Sequence, residues 1–281
     1  LLYEIVDLNF VPVASMNGVQ YGTLAEALTE ANKAAGEYTI TLLADNAEEF
    51  EFAQNADVNI TIAGEGKTFT GKITLNAGAG SLTITDATLT PSNADAKTIV
   101  LNASTAPNVT IDGCTMKNTG TKGAIVWGQA STTNNKVVIK NSTASHLQYL
   151  VGTNQGGCVE MVVENVAATD MAYLIRPMKA TKVTVKDVTY TGLTFIQVKN
   201  SLGSTLAIEN VNVTTTHASM PPVTMMAPDT GNITVNYTIT LKGENVVNGA
   251  EMTVDTEAAW FATAADGLLY EIVDLNFVPV A

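Results

Sequence analysis

Val183-Thr184-Val185-Lys186-Asp187 is one of eight short strings in this chain built on one plan: apolar, variable, apolar, variable, turn residue. The others are Ile60-Thr61-Ile62-Ala63-Gly64, Leu82-Thr83-Ile84-Thr85-Asp86, Val109-Thr110-Ile111-Asp112-Gly113, Val137-Val138-Ile139-Lys140-Asn141, Met161-Val162-Val163-Glu164-Asn165, Leu206-Ala207-Ile208-Glu209-Asn210 and Ile239-Thr240-Leu241-Lys242-Gly243. Their starts are separated by 22, 27, 28, 24, 22, 23 and 33 residues. Alternation with period two marks a strand with one buried face. The fifth position is always Gly, Asp or Asn, the residues that best tolerate a left-handed bend. A second apolar run follows in most periods, as in Thr98-Ile99-Val100-Leu101, Ala124-Ile125-Val126-Trp127, Tyr149-Leu150-Val151, Tyr173-Leu174-Ile175, Phe195-Ile196-Gln197-Val198 and Val223-Thr224-Met225-Met226.

Repeats of 20 to 30 residues without helical spacing mean stacked coils. Short strands joined by a bend of fixed chemistry describe an all-β, right-handed parallel β-helix of about eight coils over residues 37–267. With about 4.8 Å between rungs, the rod is roughly 35–40 Å long. Ile62, Ile84, Ile111, Ile139, Val163, Val185, Ile208 and Leu241 are expected to stack in one inward column. The fourth position reads Asp112, Lys140, Glu164, Lys186, Glu209, Lys242 on successive rungs. Alternating signs in an outward column stabilise the register, though each exposed pair contributes only about 0–1 kcal/mol. Thr recurs at the second position, but Val138, Val162 and Ala207 interrupt it, and strand propensity accounts for Thr without an ice-binding role.

Residues 15–36 read differently. Asn17-Gly18 is a hairpin turn signal, and Thr23 with Glu26 forms a capping box. A helix should therefore start at Leu24, with Leu24, Ala27, Leu28 and Ala31 on one face and Gly36 as its stop. Tyr38–Ala44 reads as a strand. The helix would cover the end of the rod, whose unpaired edges otherwise invite aggregation.

Composition bounds the function. The formal charge is -13, with thirteen Lys and a single Arg, Arg176. Such a chain should not bind nucleic acid, whose phosphates need a basic face. No apolar run approaches the roughly 20 residues that span a bilayer. A chain beginning at Leu1 reads as a fragment, so the lack of a signal peptide carries no meaning. Cys114 and Cys158 are too few for a disulfide framework and read as small buried residues, with a single bridge as the alternative.

The string VASMNGVQYGTLAEALTEAN, from Val13, followed by TITLLAD resembles the opening of β-helix modules in large bacterial surface proteins, which have a pectin-lyase-like fold. The specific match covers Val13 to about Asp45, and the rest matches in coil pattern only. The resemblance implies a secreted or surface-anchored bacterial product and implies no activity.

Glycan cleavage would need two or three converging carboxylates, about 5–10 Å apart, or a Ca²⁺ carboxylate cluster with an Arg or Lys base. No Asp-Asp pair occurs, and Arg176 precedes Pro177 with no acidic cluster nearby in sequence. No catalytic residue, cofactor or metal site is therefore expected. His146 and His217 lack companion ligands for zinc and read as surface or turn residues. Strings such as Asn108-Val109-Thr110 and Asn141-Ser142-Thr143 follow from composition and are not read as glycosylation sites.

Leu1 to Ala14 reads LLYEIVDLNFVPVA, and Leu268 to Ala281 reads the same, offset by 267 positions. Identity at every position points to one period of a tandem array, or to one connecting strand counted twice because it joins two neighbours. The string is apolar on both faces and should be buried, with Pro12 at its edge. Val6, Leu8 and Phe10, and Val273, Leu275 and Phe277, are the candidate assembly residues. The expected function is a structural unit of an extracellular or cell-surface bacterial fibre, stalk or filament. Its partners would be neighbouring copies of itself, joined by strand addition. The alternatives are a non-catalytic glycan-binding or adhesin module, for which an exposed Trp127 or Trp260 would speak, and a degenerate polysaccharide lyase or hydrolase.

Overall fold

The computed structural model describes residues 10–55, 57–103, 105–120, 122–129, 135–153, 160–178, 182–199, 204–226, 237–253, 261–262 and 270–274. One strand of each coil lies in a large sheet: Val58–Ala63, Ser81–Thr85, Asn108–Asp112, Lys136–Ser145, Glu160–Met171, Lys182–Gly192, Ser204–Thr215 and Tyr237–Lys242. Each pairs in parallel with the next. A second, nine-stranded sheet takes one strand from each coil, among them Lys72–Gly78, Lys97–Leu101, Ala124–Gly128, Tyr149–Thr153, Ile196–Lys199 and Val223–Met226. The result is a parallel β-helix of about 7 turns.

The inward column forms as the alternation requires. Ile62, Ile84, Ile111, Ile139, Val163, Val185, Ile208 and Leu241 stand in register, one per coil. All eight are buried. Two positions earlier, Ile60, Leu82, Val109, Val137, Met161, Val183, Leu206 and Ile239 make a second buried column. Each such side chain removed from water contributes roughly 1.5–3 kcal/mol.

The bend follows its residue types. Asp86, Gly113, Asn141, Asn165, Asp187, Asn210 and Gly243 all have φ between 47° and 70°. Gly64 is the exception. The left-handed residues there are Glu65 and Gly66, one and two places later. A Cβ on Gly64 would come 2.5 Å from the Asp86 carbonyl oxygen, so close approach of the next coil selects glycine at that position. The bend side chains also bond along the stack. Asn141 Nδ2 donates to Asp112 Oδ1 (2.8 Å), Asn165 to Asn141 (2.9 Å) and Asn210 to Asp187 (2.9 Å).

The alternating charges pair along their column. Lys140 Nζ lies 3.2 Å from Asp112, and Lys186 lies 4.0 Å from Glu164 and 3.5 Å from Glu209. Lys242 lies 3.4 Å from Glu209. A second charged column, unanticipated from the sequence, runs along the start of the strands, where Glu160 sits between Lys136 (3.1 Å) and Lys182 (3.3 Å). Partial burial works against the ionised form of Glu160. The two flanking ammonium groups outweigh it and hold the carboxyl below its ordinary value of 4.5. A depressed folded-state pKa adds stability above the unfolded value, and that stability is lost as pH falls through the folded one. Glu160→Gln should therefore lower stability at pH 7 by about 1 kcal/mol or less. In urea unfolding, the gap between the two proteins should close as pH falls below about 4. A gap unchanged at pH 2 would mean that packing, not charge, sets it.

The N-terminal end is closed as its motifs demand. Ala14–Met16 and Val19–Tyr21 form an antiparallel hairpin around Asn17 (φ 51°) and Gly18 (φ 80°). The helix spans Leu24–Ala31, with Leu24, Ala27, Leu28 and Ala31 buried. Thr23 Oγ1 accepts from Glu26 N (3.1 Å) and Glu26 Oε2 accepts from Thr23 N (3.2 Å). Glu48, from the first coil, adds a second cap by accepting from the Leu24 and Ala25 amides (2.8 and 3.2 Å). The helix ends at Asn32, before Gly36, and the Asn32 side chain there ties it to the neighbouring coil, donating to Ala53 O and accepting from Asn55 N (both 2.8 Å). Gly36 instead begins the strand Gly36–Leu42.

Candidate functional site

Among the described residues, a cleft of about 570 Å³ lies on the nine-stranded sheet. Its floor comes from successive coils: Glu49 on Glu49–Gln54, Lys72 on Lys72–Gly78, Lys97 and Val100 on Lys97–Leu101, and Trp127 on Ala124–Gly128. One wall is the segment containing Ser92, Asn93, Asp95 and Ala96. That segment is held locally, because Asn93 Oδ1 accepts from Asp95 N (3.0 Å) and Asn118 Nδ2 donates to Ala94 O (3.0 Å).

Trp127 is half-buried, and its place is fixed by the next coil. It stands in register with Gly152. A Cβ on Gly152 would lie 2.7 Å from the indole Cζ3, so only glycine lets the ring lean across the stack. Beyond it the aromatic row continues. The Trp127 and Tyr149 centroids are 6.2 Å apart, and Tyr149 stacks on Tyr173 at 5.3 Å with 17° between planes. Arg176 caps Tyr149 at 5.8 Å, Lys97 Nζ lies 5.6 Å from the Trp127 centroid, and the indole N–H donates to Gln129 Oε1 (3.0 Å). Burial raises the Tyr149 hydroxyl above its ordinary pKa.

Around the indole the polar groups carry both signs. Lys72 Nζ lies 3.1 Å from Glu49 Oε2, and Ser92 Oγ donates to Glu49 Oε1 (3.2 Å). The hydrogen bond from Lys72, then that from Ser92, holds the Glu49 carboxyl below its ordinary range. At neutral pH it is a fixed acceptor and not a proton donor. An aromatic ring bordered by amide, ammonium and carboxylate groups suits a flat, hydroxyl-bearing ligand.

Of the sequence candidates, Trp127 lies in this cleft, and Trp260 and Cys158 lie outside the described residues. Cys114 is free and buried, with its thiol pKa raised by that burial. Both histidines occupy turns. His146 has φ 57° and lies 3.8 Å from Asp170, and His217 Nδ1 accepts from the Ser219 and Met220 amides. Arg176 packs on Tyr149. Among the described residues, no three His, Cys, Asp or Glu side chains gather where they could hold a metal ion. Among those residues, too, no helix is long and apolar enough to cross a membrane.

The duplicated string is described in part. Val6, Leu8, Leu275 and Phe277 lie outside the described residues. Phe10 is exposed. Val13 is tied on both sides, its N–H donating to Tyr21 O (2.9 Å) and its carbonyl accepting from Leu43 N (2.8 Å). From the second copy, Tyr270–Asp274 is a strand parallel to Tyr237–Lys242, with Tyr270 opposite Tyr237, Ile272 opposite Ile239 and Val273 opposite Thr240. This strand adds one rung to the large sheet beyond Tyr237–Lys242. The sequence reading also missed the row of Tyr149 and Tyr173 beside Trp127. The signal was present, since the runs Tyr149-Leu150-Val151 and Tyr173-Leu174-Ile175 begin alike. No protein-family model, curated protein or solved structure matches this chain.

Proposed function

We propose that this chain is a structural repeating unit of an extracellular bacterial fibre or stalk, joined to its neighbours through the duplicated strand. The observation that carries the reading is the register of Tyr270–Asp274. A string that also opens the chain continues the large sheet by one more rung, opposite Tyr237–Leu241. A strand edge completed by a shared segment is a direct way to join solenoids, because main-chain hydrogen bonds supply affinity without a dedicated pocket. The resemblance of Val13–Asp45 to β-helix openings of bacterial surface proteins supports an extracellular setting and a right-handed, pectin-lyase-like coil. The test is light scattering and electron microscopy of the chain with and without residues 268–281. Loss of end-to-end association on removal is the expected result, and unchanged association would reject the reading.

The Trp127 cleft favours a second reading, in which the unit also holds a glycan chain without cutting it. An ionised Glu49 gives no general acid there, so no cleavage is proposed. Trp127→Ala should weaken binding to a retained polysaccharide at least tenfold in affinity electrophoresis, about 1.4 kcal/mol, while Trp127→Phe keeps most of it. Equal migration of all three proteins across neutral and acidic polysaccharides would remove the second reading.

A further inference from the structure

The outer face of the large sheet carries a charge pattern that stacking within one chain does not require. Between Asn108 and Lys242 three alternate residues of each strand point away from the core. The parallel register lines them up in three columns over six coils. The middle column is Thr110, Val138, Val162, Thr184, Ala207 and Thr240, uncharged and half-buried. The two flanking columns are charged, and they share one phase. Lys136 and Lys140 lie on one strand, Glu160 and Glu164 on the next, and Lys182 and Lys186 on the third. Asp112 precedes them in register, and Glu209 and Lys242 follow. Pairing along a column is satisfied equally well by either phase. Matched phases instead make each coil a stripe of one sign, alternating from Asp112 to Lys242.

This face also differs from the rest of the molecule in net charge. The chain carries -13. The three columns hold five Lys against four acidic residues, or +1, so the remainder carries -14. Two copies of so acidic a rod repel through most of their surface and least across this face.

A two-fold axis along the strand direction, midway between the Val162 and Thr184 coils, sets a second rod antiparallel against the first. Each column then faces its own counterpart with the order of coils reversed. Asp112 meets Lys242, Lys140 meets Glu209 and Glu164 meets Lys186, so all six stripes face the opposite sign. The middle column closes on itself, with Val138 against Ala207 and Val162 against Thr184. A parallel pair, about an axis along the rod, would set every stripe against its own sign, and like charges disfavour it.

We infer that this face pairs two copies of the chain side by side and antiparallel, with the Thr, Val and Ala column as the seam. Six coils span about 24 Å, and three columns with their side chains about 20 Å, or roughly 500 Å² per partner. A stable dimer buries about 800 Å² per partner, so single chains pair weakly. Where two arrays engage more than one pair of faces, the contact strengthens without new chemistry. The pairing itself does not depend on the end-to-end joint.

Zero-length carbodiimide coupling, which joins a Lys amine to a carboxylate in direct contact, tests the arrangement. Within one chain Asp112 and Lys242 stand five coils apart and Lys140 and Glu209 three, about 24 and 14 Å, too far to couple. At about 0.5 mM chain, where a weak pair is populated, mass spectrometry should find both links. Val162→Lys puts an ammonium in the seam and should lower their yield at least tenfold. Flanked by Glu160 and Glu164 on its own strand, the new side chain should leave the melting temperature within about 2 °C. Coupling confined to neighbouring coils, such as Lys140 to Asp112, would overturn the inference. Long links that survive Val162→Lys unchanged would overturn it too. Failure of the joint is read separately, because association through residues 268–281 brings no Asp112 against a Lys242.

Discussion

Ile139→Asp is expected to prevent the middle coils from stacking, and Ile139→Ala to lower stability by about 2–5 kcal/mol in urea unfolding. Ile139 is fully buried, between Ile111 and Val163 in register on the coils either side. Truncation to Ala opens a cavity that a stacked solenoid cannot close by shifting one rung, because each rung is pinned by main-chain bonds to two others. A carboxylate there has no charged partner along its column and must be protonated or hydrated. Ile139→Val, by contrast, should cost about 0.5–1.5 kcal/mol. Lys140→Ala, one residue on but facing outward, should stay within about 1 kcal/mol. Comparable losses at both positions would contradict the column.

Gly71→Ala is expected to be the most damaging small substitution near the N-terminal end. A Cβ there would fall inside the radius of the Glu48 carbonyl oxygen, which accepts from Lys72 N at 2.9 Å. Relief requires moving Glu48, whose carboxylate caps the helix at Leu24 and Ala25. Overlap with backbone, in contrast to a flexible side chain, should cost several kcal/mol and loosen the helix that covers the edge. Static light scattering should show this variant associating at concentrations where the parent stays dispersed. Unchanged melting and scattering would show that the first two coils can separate without disturbing the cap.

The coil pattern was legible because its physics is local and repeated. Period-two alternation placed Ile62 through Leu241 in one column, and the chemistry of the left-handed bend placed Asn141, Asn165 and Asp187 at the corners. The charge alternation from Asp112 to Lys242 was readable for the same reason, since a fixed register turns sequence position into spatial adjacency. What stayed hidden depended on how far the connecting segments carry the chain between strands. The spacings vary from 22 to 33 residues, so the second sheet's register could not be counted from the first. The second runs holding Trp127, Tyr149 and Tyr173 were placed on successive periods, but that their rings meet was not readable from them. The segment from Ser92 to Ala96, which walls the cleft, held no periodic signal. Gly64 was assigned the bend because its neighbours' column had it, whereas the turn passed to Glu65-Gly66 and Gly64 served close packing instead. Glu48 as a helix cap was invisible because it arrives from more than twenty residues away.

The array itself is tested most directly by electron microscopy of a chain carrying three full periods. Nine strands per unit in the second sheet correspond to about 40–45 Å of rise. Five residues, Leu8 to Pro12, stand between the terminal rung and the hairpin and span at most about 20 Å, so each added period should lengthen a straight rod by a constant increment of about 40–65 Å. Rods that grow by that increment with each period are the predicted result. Globular particles at variable separations, or a length that does not scale with the number of periods, would contradict a fibre built from this unit.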